Sequence, residues 1–483
     1  MADSASTLVY AVRLGVVGRY LSQLALMLAL LSLVPFGVSL GYGEYAFSQR
    51  YAIVVVSLLV VVVPGLRLPA PGKIQTNEAI AVVCLAFVLA PAIIAFPMAA
   101  DGLRWEDALF ESVSAITTTG LSTAGTVEGR SPVFLFARAW MQWSGGLGIA
   151  VLSVALLMGH HTAARRLAEP TEPENIATTA RTQARQVLLI YAALTVVGSL
   201  LLWGAGGEAF GAVVHMLSAL STGGFSTFDA SIAAMPRAGA WLVTGFAFCG
   251  AVPLLLYFHA LRGRPLELLG DAEVRALLVA VALVTGLLAL SLHAHAGMPW
   301  GAALEHGALL GASAQTTTGF ASLSVGQLDP TSKGLLVCSM LIGGASGSTA
   351  GGIKLLRLLV ILRLLQYFLR RTAMPPHAVA EPRLGGHLLE AADVERVALV
   401  VLLFGGLTAL SWLVFLAYGY APLDALFEVV SAVGTVGLST GISAPGLEVP
   451  LKLLLCVDML AGRLEILALL VLVYPRTWIG KRA

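Results

Sequence analysis

Charge is what this sequence has least of. Asp, Glu, Lys and Arg make up 12% of its 483 residues, and hydrophobic types make up 58%. Soluble globular domains carry about 25% and about 45–50%. With a mean hydropathy of +0.86, that scarcity excludes an ordinary water-soluble domain. Cysteine is nearly absent too: Cys84, Cys249, Cys338 and Cys456 each sit in an apolar window, with no CxxC. This excludes a disulfide framework and leaves them as small hydrophobic core residues. The histidines, His215, His293, His295 and His306 among them, lack metal-ligand spacing. No Ser/His/Asp grouping or paired carboxylates converge, so an intramembrane enzyme is not expected. The run GGASGSTAGGIK fails the phosphate-loop pattern, because Ile353 separates Gly352 from Lys354 and Leu355 follows. Nucleic acid is not expected as a partner.

Long apolar runs are what the chain has in abundance. Windows at 23–40, 78–99, 186–203, 274–292 and 397–417 hold about 18 or more mostly apolar residues, the length that crosses a ~30 Å hydrocarbon core. The lipid bilayer is therefore the first partner, and the chain reads as a polytopic integral membrane protein. Its net charge of +2 says little, but placement says more. Basic residues gather in a few linkers: Arg165, Arg166, Arg181 and Arg185; Arg262, Arg264 and Arg275; Arg357 to Arg396; Arg476, Lys481 and Arg482. The other linkers carry Asp101, Glu106, Asp107, Glu128, Asp329 and Glu448. Positive linkers stay in the cytoplasm, so both termini are expected inside. Residues 21–41 read as a retained first helix rather than a cleavable signal.

One polar stretch interrupts the apolar sequence repeatedly. DALFESVSAITTTGLST at 107–123 and DALFEVVSAVGTVGLST at 424–440 agree at 13 of 17 positions, and two more copies lie between them. In register the four read SAITTTGLST (114–123), SALSTGGFST (218–227), SAQTTTGFAS (313–322) and SAVGTVGLST (431–440). Each begins Ser-Ala, has Thr fifth (Thr118, Thr222, Thr317, Thr435) and Gly seventh (Gly120, Gly224, Gly319, Gly437). Each follows a long apolar segment and a short amphipathic one (107–116, 208–220, 303–315, 424–433), and precedes a second long apolar helix. The short segments cannot span. Non-helical backbone at membrane depth survives only when buried in protein or lining a water-filled cavity.

The predicted fold is an all-α polytopic membrane protein: four pseudo-fourfold helix–pore loop–helix repeats around one central pore, plus two extra N-terminal transmembrane helices. The N-terminal segment is 1–75, with helices at about 19–41 and 51–66 before the Pro-rich linker 69–73; the repeats are 76–160, 161–265, 266–372 and 373–483. About 25 residues beyond each motif glycine stand Gly145, Gly250, Gly344 and Gly462, which permit close packing or a bend. The third opens the run 343–352, ten small residues that hold a regular helix poorly. That helix is expected to break inside the membrane. In the fourth copy Arg463 and Glu465 intrude on an apolar helix, and charge at that depth is a functional candidate. The alternative is a structural Arg paired with Asp458, Glu465 or free carbonyls.

Four Thr/Gly loops suit a bare cation, whose hydration shell rings of backbone carbonyls can replace. Glycine lets successive carbonyls turn the same way, Thr adds a hydroxyl, and the short helices aim their negative ends at the axis. Asp107 and Asp424 suit N-caps facing an outer vestibule. The candidate ion-binding residues are Thr117, Thr118, Thr119 and Gly120; Ser221, Thr222, Gly223 and Gly224; Thr316, Thr317, Thr318 and Gly319; and Gly434, Thr435, Val436 and Gly437. Thr118 and Gly120 are expected to line the ion path, and the varied third and sixth places to carry any difference between copies.

These units, with GTVGL (434–438), QWSGGLGI (142–149), GGASGSTAGGIKLLR (343–357) and GRLEILALLVLVYPRTW (462–478), resemble the Trk/Ktr/HKT superfamily of potassium transporters. Within it they look like the bacterial Trk-type, TrkH-like membrane subunit, and the resemblance covers essentially the whole chain. It implies K⁺ as the transported ion, no covalently bound cofactor, nucleotide only on a regulatory partner, and Gly120 favouring K⁺ over Na⁺. It implies an intramembrane gate at Gly343, Gly344, Ala345, Ser346, Gly347, Ser348, Thr349, Ala350, Gly351 and Gly352, with Arg463 as a positive barrier. It also implies a homodimer in the bacterial cytoplasmic membrane and a peripheral, nucleotide-binding regulatory subunit (TrkA-like) docking on linkers such as 160–186 and 366–392. A gated conducting pore and a K⁺ symporter coupled to H⁺ or Na⁺ both remain open, although no acidic relay marks a coupling path. Gly223 and Val436 depart from the Thr of the other two copies, so the ring is only pseudo-symmetric.

Overall fold

The computed structural model describes residues 11–69, 74–160, 174–261, 263, 265–375, 381–384 and 387–479. Linker residues 70–73, 161–173 and 376–380, Arg262, Arg264, Lys481 and Arg482 lie outside the described residues. Two of the expected docking linkers therefore fall partly outside them.

Every apolar window is a helix: Leu14–Gly41, Tyr45–Leu66, Thr76–Met98, Glu174–Gly204, Ala272–Ala296 and Ala391–Ala417. Among the described residues, six helices are long and apolar enough to cross a membrane. Their flanks turn Val60, Leu283 and Leu402 outward, 67%, 60% and 73% exposed, a surface that water rejects and lipid tails accept. Helix ends follow local chemistry. The Asp271 carboxylate accepts the Glu273 and Val274 N–H groups at the start of Ala272–Ala296, and left-handed Gly297 closes that helix.

Four short helices recur between the long ones: Trp105–Ile116, Ala209–Leu220, Trp300–Gln315 and Pro422–Val433. Second helices follow them. Only the first is continuous, Pro132–His160. The others break at one level, into Arg237–Gly250 and Leu254–Leu261, Pro330–Ile342 and Leu355–Arg371, and Val449–Leu464 and Ile466–Val473. The third break was legible as the Gly-rich run. The second and fourth break as well, where the sequence at Gly250 and Gly462 offered only close packing or a bend. Pro253 removes an N–H in one, and Glu465 takes φ +58° in the other.

The core is a ring of seams rather than a central mass. Trp143, Tyr191 and Leu217 join the first unit to the second; Met216, Val243 and Leu309 join the second to the third. Met340, Leu310 and Val430 join the third to the fourth, and Val429, Met459 and Phe110 close the fourth onto the first. The two N-terminal helices pack outside this ring, through Phe47 and Tyr51 against Met98 and Phe134.

Candidate functional site

Each short helix ends in the same backbone device. The Thr118 N–H donates to Ala115 O and the Thr119 N–H to Ser114 O, both at 2.9 Å. Thr222 and Gly223, Thr317 and Thr318, and Thr435 and Val436 repeat both bonds onto Ala219 and Ser218, Ala314 and Ser313, and Ala432 and Ser431. This is a Schellman closure, and it requires a left-handed residue where glycine is usual. Here that residue is threonine four times: Thr118, Thr222, Thr317 and Thr435 have φ between 50° and 55°. A β-branched residue there costs about 1–3 kcal/mol and persists only where its surroundings over-determine it.

The four motif strands close on one another. A Cβ on Gly120 would fall on the carbonyl oxygen of Gly223, one on Gly224 on that of Thr318, one on Gly319 on that of Val436, and one on Gly437 on that of Thr119. Each strand's glycine therefore abuts the next strand's sixth-place carbonyl, and the order runs first, second, third, fourth and back to first. All four glycines have positive φ, from 73° to 97°. In every copy the three preceding residues are buried and the glycine alone is partly exposed. The Thr118 and Thr435 hydroxyls are buried without a partner.

Beneath this ring lies the break in the third second helix, residues Gly343 to Lys354. The Gly351 N–H donates to Thr317 Oγ1 at 2.7 Å, tying the loop to the ring. A Cβ on Gly351 would collide with Thr435 Oγ1 and Gly434 O. The Thr349 hydroxyl reaches Leu220 O and Gly250 O at 2.9 Å, and Arg463 Nη1 donates to Thr349 O at 2.8 Å. Arg463 is buried, and its Nε and Nη2 have no partner. Ser346 N–H donates to Glu273 at 2.6 Å, and Ala345 N–H to Ala251 O. All ten loop residues thus sit together under the motif ring, Arg463 beside them. Glu465 does not serve Arg463: it pairs with Arg357, while Asp458 accepts from Ser411 at 2.8 Å.

Two expectations need correction. Gly145, Gly250 and Gly462 lie against the last carbonyls of their short helices, Ile116, Leu220 and Val433, where a Cβ would clash. Gly344 does not; its helix has already ended, and Gln315 Nε2 instead binds Gly343 O at 2.7 Å. Asp107 and Asp424 are not N-caps, which are Arg104 and Ala421. They lie in the first turn and bind lysines of the preceding unit, Lys452 to Asp107 at 2.5 Å and Lys333 to Asp424 at 2.7 Å. Arg237–Glu305, at 2.5 Å, joins the second unit to the third in the same sense.

Sequence reasoning missed the braces behind the ring. Ser114 and Ser431 hydroxyls accept the Gly120 and Gly437 N–H groups, each at 3.0 Å. Glu111 accepts the Thr123 N–H at 2.8 Å and is ion-paired with buried Arg138; Glu428 accepts from Ser439 and the Ser443 N–H. His215, at the same register in the second copy, meets Ser226 at 3.0 Å. The repeated Glu of DALFE was the available signal. Gln142, on the first second helix, donates from Nε2 to Gly223 O.

Residues 51–477 match the family described as TrkH, cation transport protein. An uncharacterized cation transporter of Methanocaldococcus jannaschii is 30% identical over 92% of each chain. The Trk system potassium uptake protein TrkI of Halomonas elongata is 32% identical over 95% of this chain and 96% of its own. The crystal structure of the potassium transporter TrkH from Vibrio parahaemolyticus superposes with a TM-score of 0.86 at 28% identity, covering 97% of this chain and 100% of that one.

Proposed function

We propose, from the premise that this chain belongs to the TrkH family of cation transport proteins, that it takes up K⁺ through the ring of four Thr/Gly strands. The observation that carries this reading is the closed ring itself. Four strained left-handed threonines and four glycines set one carbonyl of each strand against the next. Such a ring presents partial negative charge on all sides of an axis, and a K⁺ ion sheds water onto it without being trapped. The four short helices add the negative ends of their dipoles. The unpartnered Thr118 and Thr435 hydroxyls are free to join the ion's ligands.

Gly343 to Gly352 form the gate in this reading, and Arg463 is its positive barrier. For an ion to pass, the loop must release Thr317 at Gly351 and the Thr349 carbonyl at Arg463. Both bonds are short and buried, so opening needs an outside drive. A peripheral nucleotide-binding subunit on linkers 160–186 and 366–392 supplies that drive, and the transporter works as a homodimer in a bacterial cytoplasmic membrane with both termini inside.

Purified protein in proteoliposomes tests the selectivity. Radioactive Rb⁺ should enter well and Na⁺ poorly, and equal entry of Na⁺ would sink the reading. Repeating the flux with and without H⁺ and Na⁺ gradients separates a conducting pore, which needs the K⁺ gradient alone, from a coupled symporter.

A further inference from the structure

Two of the four strands brace their sixth place from within, and a third is packed by its neighbours. The Thr119 hydroxyl lies 2.8 Å from that of Thr117, and the Thr318 hydroxyl 2.7 Å from that of Thr316. Val436 is held by the apolar cluster of the third and fourth units. The second strand has Gly223 there and so no side chain to hold. A Cβ built on Gly223 would fall on the carboxamide of Gln142. That carboxamide, fully buried, donates from Nε2 to Gly223 O at 2.5 Å and accepts the Phe225 N–H on Oε1 at 3.3 Å. Both contacts agree on which end of the amide points where. Among the described residues, no side chain donates to the matching carbonyls of Thr119, Thr318 or Val436.

We propose that Gln142 is a positioning residue for ion selectivity, supplying to the second strand the side chain that its own sequence omits. The inference rests on the K⁺ filter reading above. Without a side chain at Gly223, that peptide has the widest backbone freedom of the four. Its carbonyl is also the one on which Gly120 closes the ring. Gln142 grips the peptide on both sides of Gly224, at Gly223 O and Phe225 N. The carbonyl is thereby fixed at a distance from the axis that suits one ion radius. A strand that could yield would close around a smaller ion.

The test pairs loss with repair. Gln142→Met keeps the volume and removes both hydrogen bonds, and in proteoliposomes it should lower the Rb⁺/Na⁺ flux ratio about tenfold, the scale of one buried hydrogen bond. Gly223→Thr alone should collide with Gln142 and lose selectivity. Gln142→Ala combined with Gly223→Thr, which gives the second strand the bracing of the first and third, should recover most of the ratio. A mere packing role would show in the melting temperature but not in that recovery. A wild-type ratio in Gln142→Met overturns the proposal, and so does a double variant no more selective than Gln142→Ala. If the wild-type protein itself fails to discriminate, the filter reading fails instead.

Discussion

The motif ring and the layer beneath it are built on opposite plans. In the ring all four units do the same thing: Ser and Ala carbonyls close the short helix, Thr turns left-handed, and Gly abuts its neighbour. One layer lower no two units agree. The first runs on as a helix, the second breaks before Pro253, the third unravels over Gly343 to Lys354, and the fourth carries Arg463 and breaks at Glu465. On the filter-and-gate reading proposed above, the difference separates two physical jobs. Surrounding a spherical ion calls for equivalent ligands on every side, whereas blocking a path needs one obstacle and one latch.

The largest effect is expected where the ring is clamped from outside. Lys452→Met removes the buried ammonium from Asp107 and leaves that carboxylate with the more exposed Arg104 at 3.2 Å, which should cost about 3 kcal/mol and lower the melting temperature of the detergent-solubilised protein markedly. Arg237→Gln breaks an equivalent but exposed pair, and should cost about 0–1 kcal/mol. Equal losses at both seams would mean that the clamps do not depend on burial.

Next comes the ring itself. Gly437→Ala, or Gly120→Ser, places a Cβ on the next strand's carbonyl at a positive φ. Strain of that kind should reduce the Rb⁺/Na⁺ flux ratio roughly 10- to 100-fold. An unchanged ratio in either variant removes that glycine from the filter.

Breaking the lower layer should do the reverse. Arg463→Ala frees the Thr349 carbonyl from its charged donor, and basal Rb⁺ flux should rise about tenfold with selectivity kept. Flux that falls in folded protein would make Arg463 a structural strut.

The smallest effect tests equivalence within the ring. Ser114→Ala and Ser431→Ala remove the acceptors of Gly120 and Gly437, and each should lower the flux ratio several-fold. Ser218→Ala and Ser313→Ala delete hydroxyls that have no partner and should leave it unchanged, so four equal responses would contradict the geometry.

Much of this was legible along the chain because it is local. Apolar windows specified the long helices, and the Thr/Gly copies specified where short helices stop. The run 343–352 announced its own break, since small residues cannot sustain a helix alone. Other features were illegible for a physical reason: their partners are far apart in sequence. Gln142 and Gly223, Lys452 and Asp107, and Arg463 and Thr349 are 81, 345 and 114 residues apart. Nothing local marks such pairs. The helix breaks at Pro253 and Glu465 were missed because single residues gave weak signals within apolar runs.

Sequence alone determined that four equivalent polar turns lie inside a membrane protein, because hydropathy and local hydrogen bonding need only neighbouring residues. Only the tertiary structure decided which strand meets which, and which helix carries the loop and the latch. Those are choices among long-range contacts, made when four units close on one axis and each glycine finds the next strand's carbonyl.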